Sequence, residues 1–226
     1  MAVWALLLPT CFLIRLAPGA ATAAGTPGTD RPSPEQVFTS PQFLVLSVVF
    51  LLCCGTHSGP LFHTVSYAIS CGLPMMAAVS IYGVEGVAGL AGRLVIGLLA
   101  DRFGAKRMLV VGLVWQAVAA GAYMFARTPG DFYVVAVAFG FAYAGVMPLY
   151  TVLVRENFPV SVIGTVIGAT SMASSVGMAI GPLAGGLIFD HFTTYSGLYI
   201  GSFVFGLGAA VTMLTFRPAR PATIPA

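Results

Sequence analysis

The sequence predicts an all-α, polytopic membrane helical bundle, and three observations carry that prediction. Of 226 residues, 58% are hydrophobic and only 8% charged, with a mean hydropathy of +0.95, whereas a soluble domain carries about a quarter charged residues. Six apolar stretches are each long enough to cross a hydrocarbon core of about 30 Å as a helix of about 20 residues. Ten-residue alternating strands, the mark of a membrane β-barrel, do not occur. The same composition excludes a disordered chain, which needs low hydrophobicity and high charge. A formal net charge of +3 is too thin for a nucleic-acid binder.

The expected spans are residues 43–66, 75–100, 108–126, 132–154, 163–189 and 196–216. Each break has a physical cause. Gly72-Leu73-Pro74 parts the first two spans, because the residue before a proline is pushed out of the helical region. The charged run Asp101 to Arg107 parts the second and third. Arg127-Thr128-Pro129-Gly130-Asp131 and Arg155-Glu156-Asn157-Phe158-Pro159 end the third and fourth. Asp190-His191 precedes the last span and Arg217-Pro218 closes it. Before the first span, residues 3–16 are apolar but short. No positive charge precedes them, as a secretory signal would require, so 1–16 reads as the tail of a further transmembrane helix. Residues 17–42, rich in Pro, Gly, Ala and Thr, read as a flexible linker. The expected domains are therefore 1–16 partial helix, 17–42 cytoplasmic linker, 43–216 six-helix bundle and 217–226 cytoplasmic tail.

Arg and Lys set the expected orientation, since cytoplasmic loops hold the excess. One side collects Arg15, Arg31, Arg102, Lys106, Arg107, Arg155, Arg217 and Arg220; the other has Arg127 alone. The 101–107 loop and the C-terminus are expected in the cytoplasm, in a multi-pass protein of the plasma membrane. The cysteines, Cys11, Cys53, Cys54 and Cys71, lie in or beside apolar runs without metal or redox spacing. No cofactor, metal or nucleotide site is expected.

The second span and its loop run Gly92-Arg93-Leu94-Val95-Ile96-Gly97-Leu98-Leu99-Ala100-Asp101-Arg102-Phe103-Gly104-Ala105-Lys106-Arg107. This resembles the G-x-x-x-D-R-x-G-x-R/K-R signature of the major facilitator superfamily. Gly97 is of a size to let a neighbouring helix approach, and Gly104 suits a tight turn. The resemblance implies one six-helix half of a major facilitator fold, helices seven to twelve, with residues 3–16 as the end of helix six. It also implies that Gly97, Asp101, Arg102, Gly104, Lys106 and Arg107 latch one conformation during alternating access, and that an N-terminal six-helix half is the missing partner. Gly181-Pro182-Leu183-Ala184-Gly185-Gly186 looks like the end of helix eleven.

Two ionisable residues stand inside the second span, where each costs at least about 2.5 kcal/mol and is a functional hypothesis by default. Glu85 and Arg93 are eight residues apart, about 12 Å along the axis and about 80° around it, so they are expected on one broad face. Gly89 between them is expected to leave room for a substrate or partner. Arg93 leans toward the bilayer middle, where a guanidinium holds a carboxylate through two parallel hydrogen bonds. The pattern around Arg93 also looks like the monocarboxylate porters and oxalate/formate antiporters, which implies a carboxylate substrate. The oxalate antiporters add a lysine in helix eleven, and residues 163–189 have none, so the resemblance implies a monocarboxylate rather than a doubly charged anion. In the first span, His57 and His63 are about 240° apart and cannot share one site. His57, near mid-membrane, is a candidate proton-coupling group, with packing as the bland alternative.

The expected substrate-side residues are thus Arg93, Glu85 and His57, and the expected activity is secondary, proton-linked transport of a small organic anion. The chain is not expected to be an enzyme. The alternatives are a half-transporter inactive alone, because such sites lie between repeats, and, remotely, an intramembrane serine protease built on Ser171, which needs a base within hydrogen-bond reach. Glycines at 83, 86, 89 and 92, at 164 and 168, and at 177, 181 and 185 are expected to mark close helix contacts.

Overall fold

The computed structural model describes residues 33–218. The expected partial helix at 1–16, the first part of the linker and the end of the tail lie outside the described residues. What is described of the linker is partly helical: α1, Pro34–Phe38, forms because Ser33 and Gln36 satisfy each other's backbone N–H groups in a reciprocal cap. Its Val37 is buried in the core, and Phe38 packs edge-on against Phe43 at 5.2 Å.

Six long helices follow: α2, Pro41–Ser70; α3, Met75–Phe103; α4, Ala105–Ala122; α5, Pro129–Asn157; α6, Ile163–Phe192; and α7, Ser196–Leu214. Short 3-10 turns extend α4 at Tyr123–Phe125 and precede α6 at Val160–Val162. All six are long and apolar enough to cross a membrane. Short connections make neighbours antiparallel, so the bundle has a Gly104 end and an Arg127 end.

The seven-residue break expected at 101–107 is a single residue. α3 runs on through Asp101, Arg102 and Phe103, and α4 begins at Ala105. Arginine is a good helix former and aspartate costs well under 1 kcal/mol, so polarity alone did not stop the helix. Gly104 does, at φ 91, a conformation that only glycine adopts without strain. At the opposite end, Thr128 and Asp131 form a reciprocal cap that starts α5. Pro60 does not break α2. The helix continues through it, and the Thr64 hydroxyl donates to the Pro60 carbonyl at 2.7 Å.

The packing repeats on exchanging the first three long helices for the last three. α2 lies along α6 as α5 lies along α3, and α7 packs on α2 as α4 packs on α5. Inverted repeats of this kind underlie many transporter folds. Two glycine seams follow the same exchange. On α6, Gly177, Gly181 and Gly185 meet the Leu51 carbonyl, Ser58 and His63 of α2; on α3, Gly89 and Gly92 meet Gly140, Ala144 and the Phe141 carbonyl of α5. The other expected contact glycines, Gly83, Gly86, Gly164 and Gly168, face open space among the described residues. Those four readings are corrected: their small size serves no contact within this bundle.

Burial is uneven. In the most apolar window of α2, 56% of residues are buried, against 22% for α3 and 17% for α6. These two helices are apolar yet largely uncovered by the described residues.

Candidate functional site

Arg93 sits on the uncovered side of α3, exposed, about 15 Å along the axis from the Gly104 end. Its backbone is held rigidly. On the preceding residue, Gly92, any Cβ would fall on the Phe141 carbonyl, and Gly145 of α5 packs back against the Gly92 carbonyl. Among the described residues Arg93 makes no hydrogen bond or ion pair. A guanidinium therefore stands at mid-span with no counter-charge among the described residues.

Glu85 is elsewhere. It is 1% exposed and turned into the bundle, with its backbone against Gly140. Its Oε2 accepts one long hydrogen bond, 3.5 Å, from the Tyr123 hydroxyl, and its Oε1 has no partner. The shared-face expectation is thus corrected: the turn of about 80° between the two positions carries one side chain inside and the other out. The expected space at Gly89 is also absent. A Cβ there would lie 2.9 Å from that of Ala144 and 3.3 Å from the Gly140 carbonyl oxygen, so Gly89 belongs to the seam.

Tyr143 of α5 links the scattered groups. It lies within electrostatic reach of both Arg93 and Glu85, and its ring stacks on His57 at 5.2 Å and 25°. His57 is buried. Its Nδ1–H donates to the Cys53 carbonyl at 2.9 Å. Gln116 of α4 donates to the same carbonyl at 3.0 Å. His63 points away, its Nε2 donating to the Pro182 carbonyl at 3.1 Å and its ring tilted on Tyr195. The two histidines serve different contacts.

At the Gly104 end, the signature residues are only partly engaged. Lys106 donates to the Phe216 carbonyl and, at 3.4 Å, to the Leu214 carbonyl, tying α4 to the end of α7. The Arg102 guanidinium lies over the Phe103 ring at 5.5 Å. Asp101 makes no ion pair with Arg102 or Arg155 among the described residues. A Cβ on Gly97 would meet nothing within 4 Å, so the close approach expected there is not made within this bundle. The Ser171 hydroxyl has no histidine partner among the described residues; only the Ser171 carbonyl is used, by Ser174 and Ser175.

Tyr143, Gln116 and Tyr123 were not singled out from the sequence. A search for uncharged polar groups inside spans, rather than for charges and histidines alone, reaches Gln116 directly.

The sequence profile of the Major Facilitator Superfamily matches residues 1–178 and again 86–226. An MFS-type transporter, pynF, of Aspergillus niger is 30% identical over 96% of this chain and 50% of its own length. The agnestins efflux protein AgnL12 of Paecilomyces divaricatus is 30% identical over 83% of this chain and 44% of its own. Multidrug resistance protein 1 of Bacillus subtilis is 28% identical over 58% of this chain and 32% of its own. The chain spans about half the length, or less, of these relatives. The relatives' names are those of transporters, not enzymes. With a matching profile across its length and six apolar helices, this multi-pass membrane protein belongs to the Major Facilitator Superfamily.

Proposed function

We propose that this bundle is one wall of a secondary transporter for a small organic anion, a monocarboxylate, moved with a proton by alternating access. The observation that carries the reading is Arg93, a guanidinium at mid-span on a helix face that the described residues neither pair nor cover. An ionisable group held at that cost marks a substrate path or a partner. Its planar fork fits a carboxylate through two parallel hydrogen bonds. Tyr143 and the buried His57 stand behind it, with His57 a candidate proton carrier. Glu85, enclosed in the bundle, touches no substrate in this scheme.

The other wall is a second six-helix bundle covering α3 and α6. Relatives about twice as long and the low burial of these two helices support that partner. Gly97, facing open space, belongs to the contact with it, and the Asp101, Arg102, Gly104, Lys106 and Arg107 cluster latches the two walls. Charge asymmetry supports a cytoplasmic Gly104 end and C-terminus, with the Arg127 end on the far side of the membrane, here the plasma membrane. The bundle by itself is expected to be inactive, since such sites lie between repeats.

The test is binding and uptake in vesicles holding the assembled transporter. Arg93→Lys keeps the charge and loses the fork, so monocarboxylate affinity falls about tenfold or more, as a charged hydrogen bond of about 1.5–3 kcal/mol implies. Arg93→Gln abolishes binding. Unchanged binding in both variants overturns the assignment.

A second reading has its own support: two of the relatives are named for efflux or multidrug resistance. In that case the substrate is a larger organic compound leaving the cell. Exit of a preloaded amphipathic dye from cells, competed by no monocarboxylate, favours export; competition by monocarboxylates favours the first reading.

A further inference from the structure

At the Gly104 end, where the start of α2 passes the end of α7, a cleft of about 380 Å3 is lined by Pro41, Gln42 and Val45 on one side and by Thr215 and Arg217 on the other. α7 has 19 residues, about 28 Å of helix against a hydrocarbon core of about 30 Å, so the residues just past its end stand at headgroup level. The chain there is anchored. Phe216 is buried in the core, its N–H donates to the Met213 carbonyl at 3.1 Å, and its carbonyl receives Lys106. Thr215 and Arg217, on either side of that anchor, are left at the cleft.

Arg217 is exposed, and among the described residues it makes no hydrogen bond or ion pair. The side-chain amide of the half-buried Gln42 makes no hydrogen bond among them either. Lys106 donates to the Leu214 and Phe216 carbonyls, which brings a second positive charge to the residues that line the cleft. The acidic residues at this end, Glu35, Asp101 and Glu156, form no ion pair with either cation among the described residues. Two cations and an amide thus meet at one cleft without an anion among the described residues.

From the cleft toward mid-membrane, the adjoining sides of the two helices are apolar. Val45, Val48 and Leu52 recur at three- and four-residue steps along α2, and Val204, Gly208 and Val211 do so along α7, so each set forms one stripe. Val48, Val204 and Val211 are exposed. A Cβ on Gly208 would lie 3.7 Å from Leu52, so the stripes adjoin. A soluble anion has no use for such a track, whereas an acyl chain attached to a headgroup in the cleft would lie along it.

We propose that this cleft binds an anionic phospholipid, its phosphate held by Arg217 and Gln42 beside Lys106 and one acyl chain laid along the α2–α7 stripes. Basic pockets between membrane helices suit such headgroups, which are enriched in the cytoplasmic leaflet. The site requires only a membrane-spanning bundle; which leaflet supplies the lipid follows from the orientation proposed above. A lipid seated here joins the start of α2 to the end of α7, away from the Arg93 face.

The test uses the full chain in phosphatidylcholine vesicles carrying a trace of phosphatidylglycerol with a photoactivatable group on one acyl chain. Cross-links are expected within residues 45–52 and 204–211, competed by unlabelled phosphatidylglycerol and not by added phosphatidylcholine. Arg217→Gln should lower their yield about fivefold, the factor for about 1 kcal/mol per basic residue at an anionic surface. Gln42→Ala lowers it with both charges in place, and Arg155→Gln, at an exposed cation ending α5, leaves it unchanged. Equal labelling by a photoactivatable phosphatidylcholine means ordinary boundary lipid and overturns the site. Competition by inorganic phosphate as strong as by phosphatidylglycerol assigns the cleft to a soluble anion and overturns the lipid. These two comparisons use the wild type, so they decide the matter even if Arg217→Gln misfolds; a folded Arg217→Gln with unchanged yield overturns the role of Arg217.

Discussion

Gln116 donates its side-chain N–H to the main-chain carbonyl of Cys53, 3.0 Å away, while the Cys53 thiol donates back to its Oε1 at 3.5 Å. This exchange ties the middle of α4 to α2 and fixes the carbonyl that also receives His57. Hydrogen bonds between membrane helices average about 0.6 kcal/mol and reach about 1.7. Gln116→Leu is therefore expected to destabilise the bundle by about 1 kcal/mol in a denaturation series in mixed micelles. It should also shift the His57 imidazole resonances in NMR spectra; unmoved His57 signals would deny the shared carbonyl.

Gly92 and Gly97 stand one helical turn and a half apart and have opposite surroundings. A Cβ on Gly92 falls on the Phe141 carbonyl, whereas one on Gly97 meets nothing within 4 Å. Gly92→Ala forces α3 and α5 apart, at about 1–3 kcal/mol for an overpacked contact. Gly97→Ala should leave the stability of this bundle within about 0.5 kcal/mol. Thermal melts of the two variants in detergent distinguish them, and equal melting points would contradict the seam.

Gly104, at φ 91 and ψ 137, is the whole connection between α3 and α4. Gly104→Ala places a side chain where the left-handed half of the map excludes it, at about 1–3 kcal/mol. Because a Cβ there meets no neighbour within 4 Å, the penalty is conformational rather than steric. At ψ 137 the turn lies outside the αL basin that asparagine tolerates, so Gly104→Asn should recover little of it; full stability in the alanine variant would show that the turn relaxes.

Lys106 holds the carbonyls of Leu214 and Phe216 that end α7. Cations belong at such a terminus, where they contribute about 0.3–1 kcal/mol. Lys106→Met is expected to speed amide exchange at residues 214–217 and leave the centre of α7 protected. Uniform exchange along α7 would argue against a local tie.

The helices were legible because six apolar runs and their proline, glycine and charged breaks are strong signals. Their faces were not. Each span is apolar nearly all round, and a helix without a polar stripe does not announce which side is buried. So Glu85 and Arg93 looked like neighbours on one face, although rotation puts the first among Tyr123 and Gly140 and the second outside. Glycine spacing likewise marked where contacts were permitted but not which were used: Gly89 and Gly92 meet α5, and Gly83 and Gly86 meet nothing. Tyr143 was invisible as a hub because its three relationships, with His57, Glu85 and Arg93, join helices far apart in sequence.

The pairing of α2 with α6 bears on how the protein is made. Ser58 donates to the Gly177 carbonyl across a separation of 119 residues, and His63 reaches Pro182 across the same interval. A ribosome adding about 5–20 residues per second leaves α2 in the membrane for roughly 6–24 s before α6 is synthesised. Through that interval its serine and histidine have no partner from the seam they finally occupy. The nascent chain is thus most exposed to quality control while it is half made, and a stall between α5 and α6 should mark it for degradation far more strongly than a stall after α7.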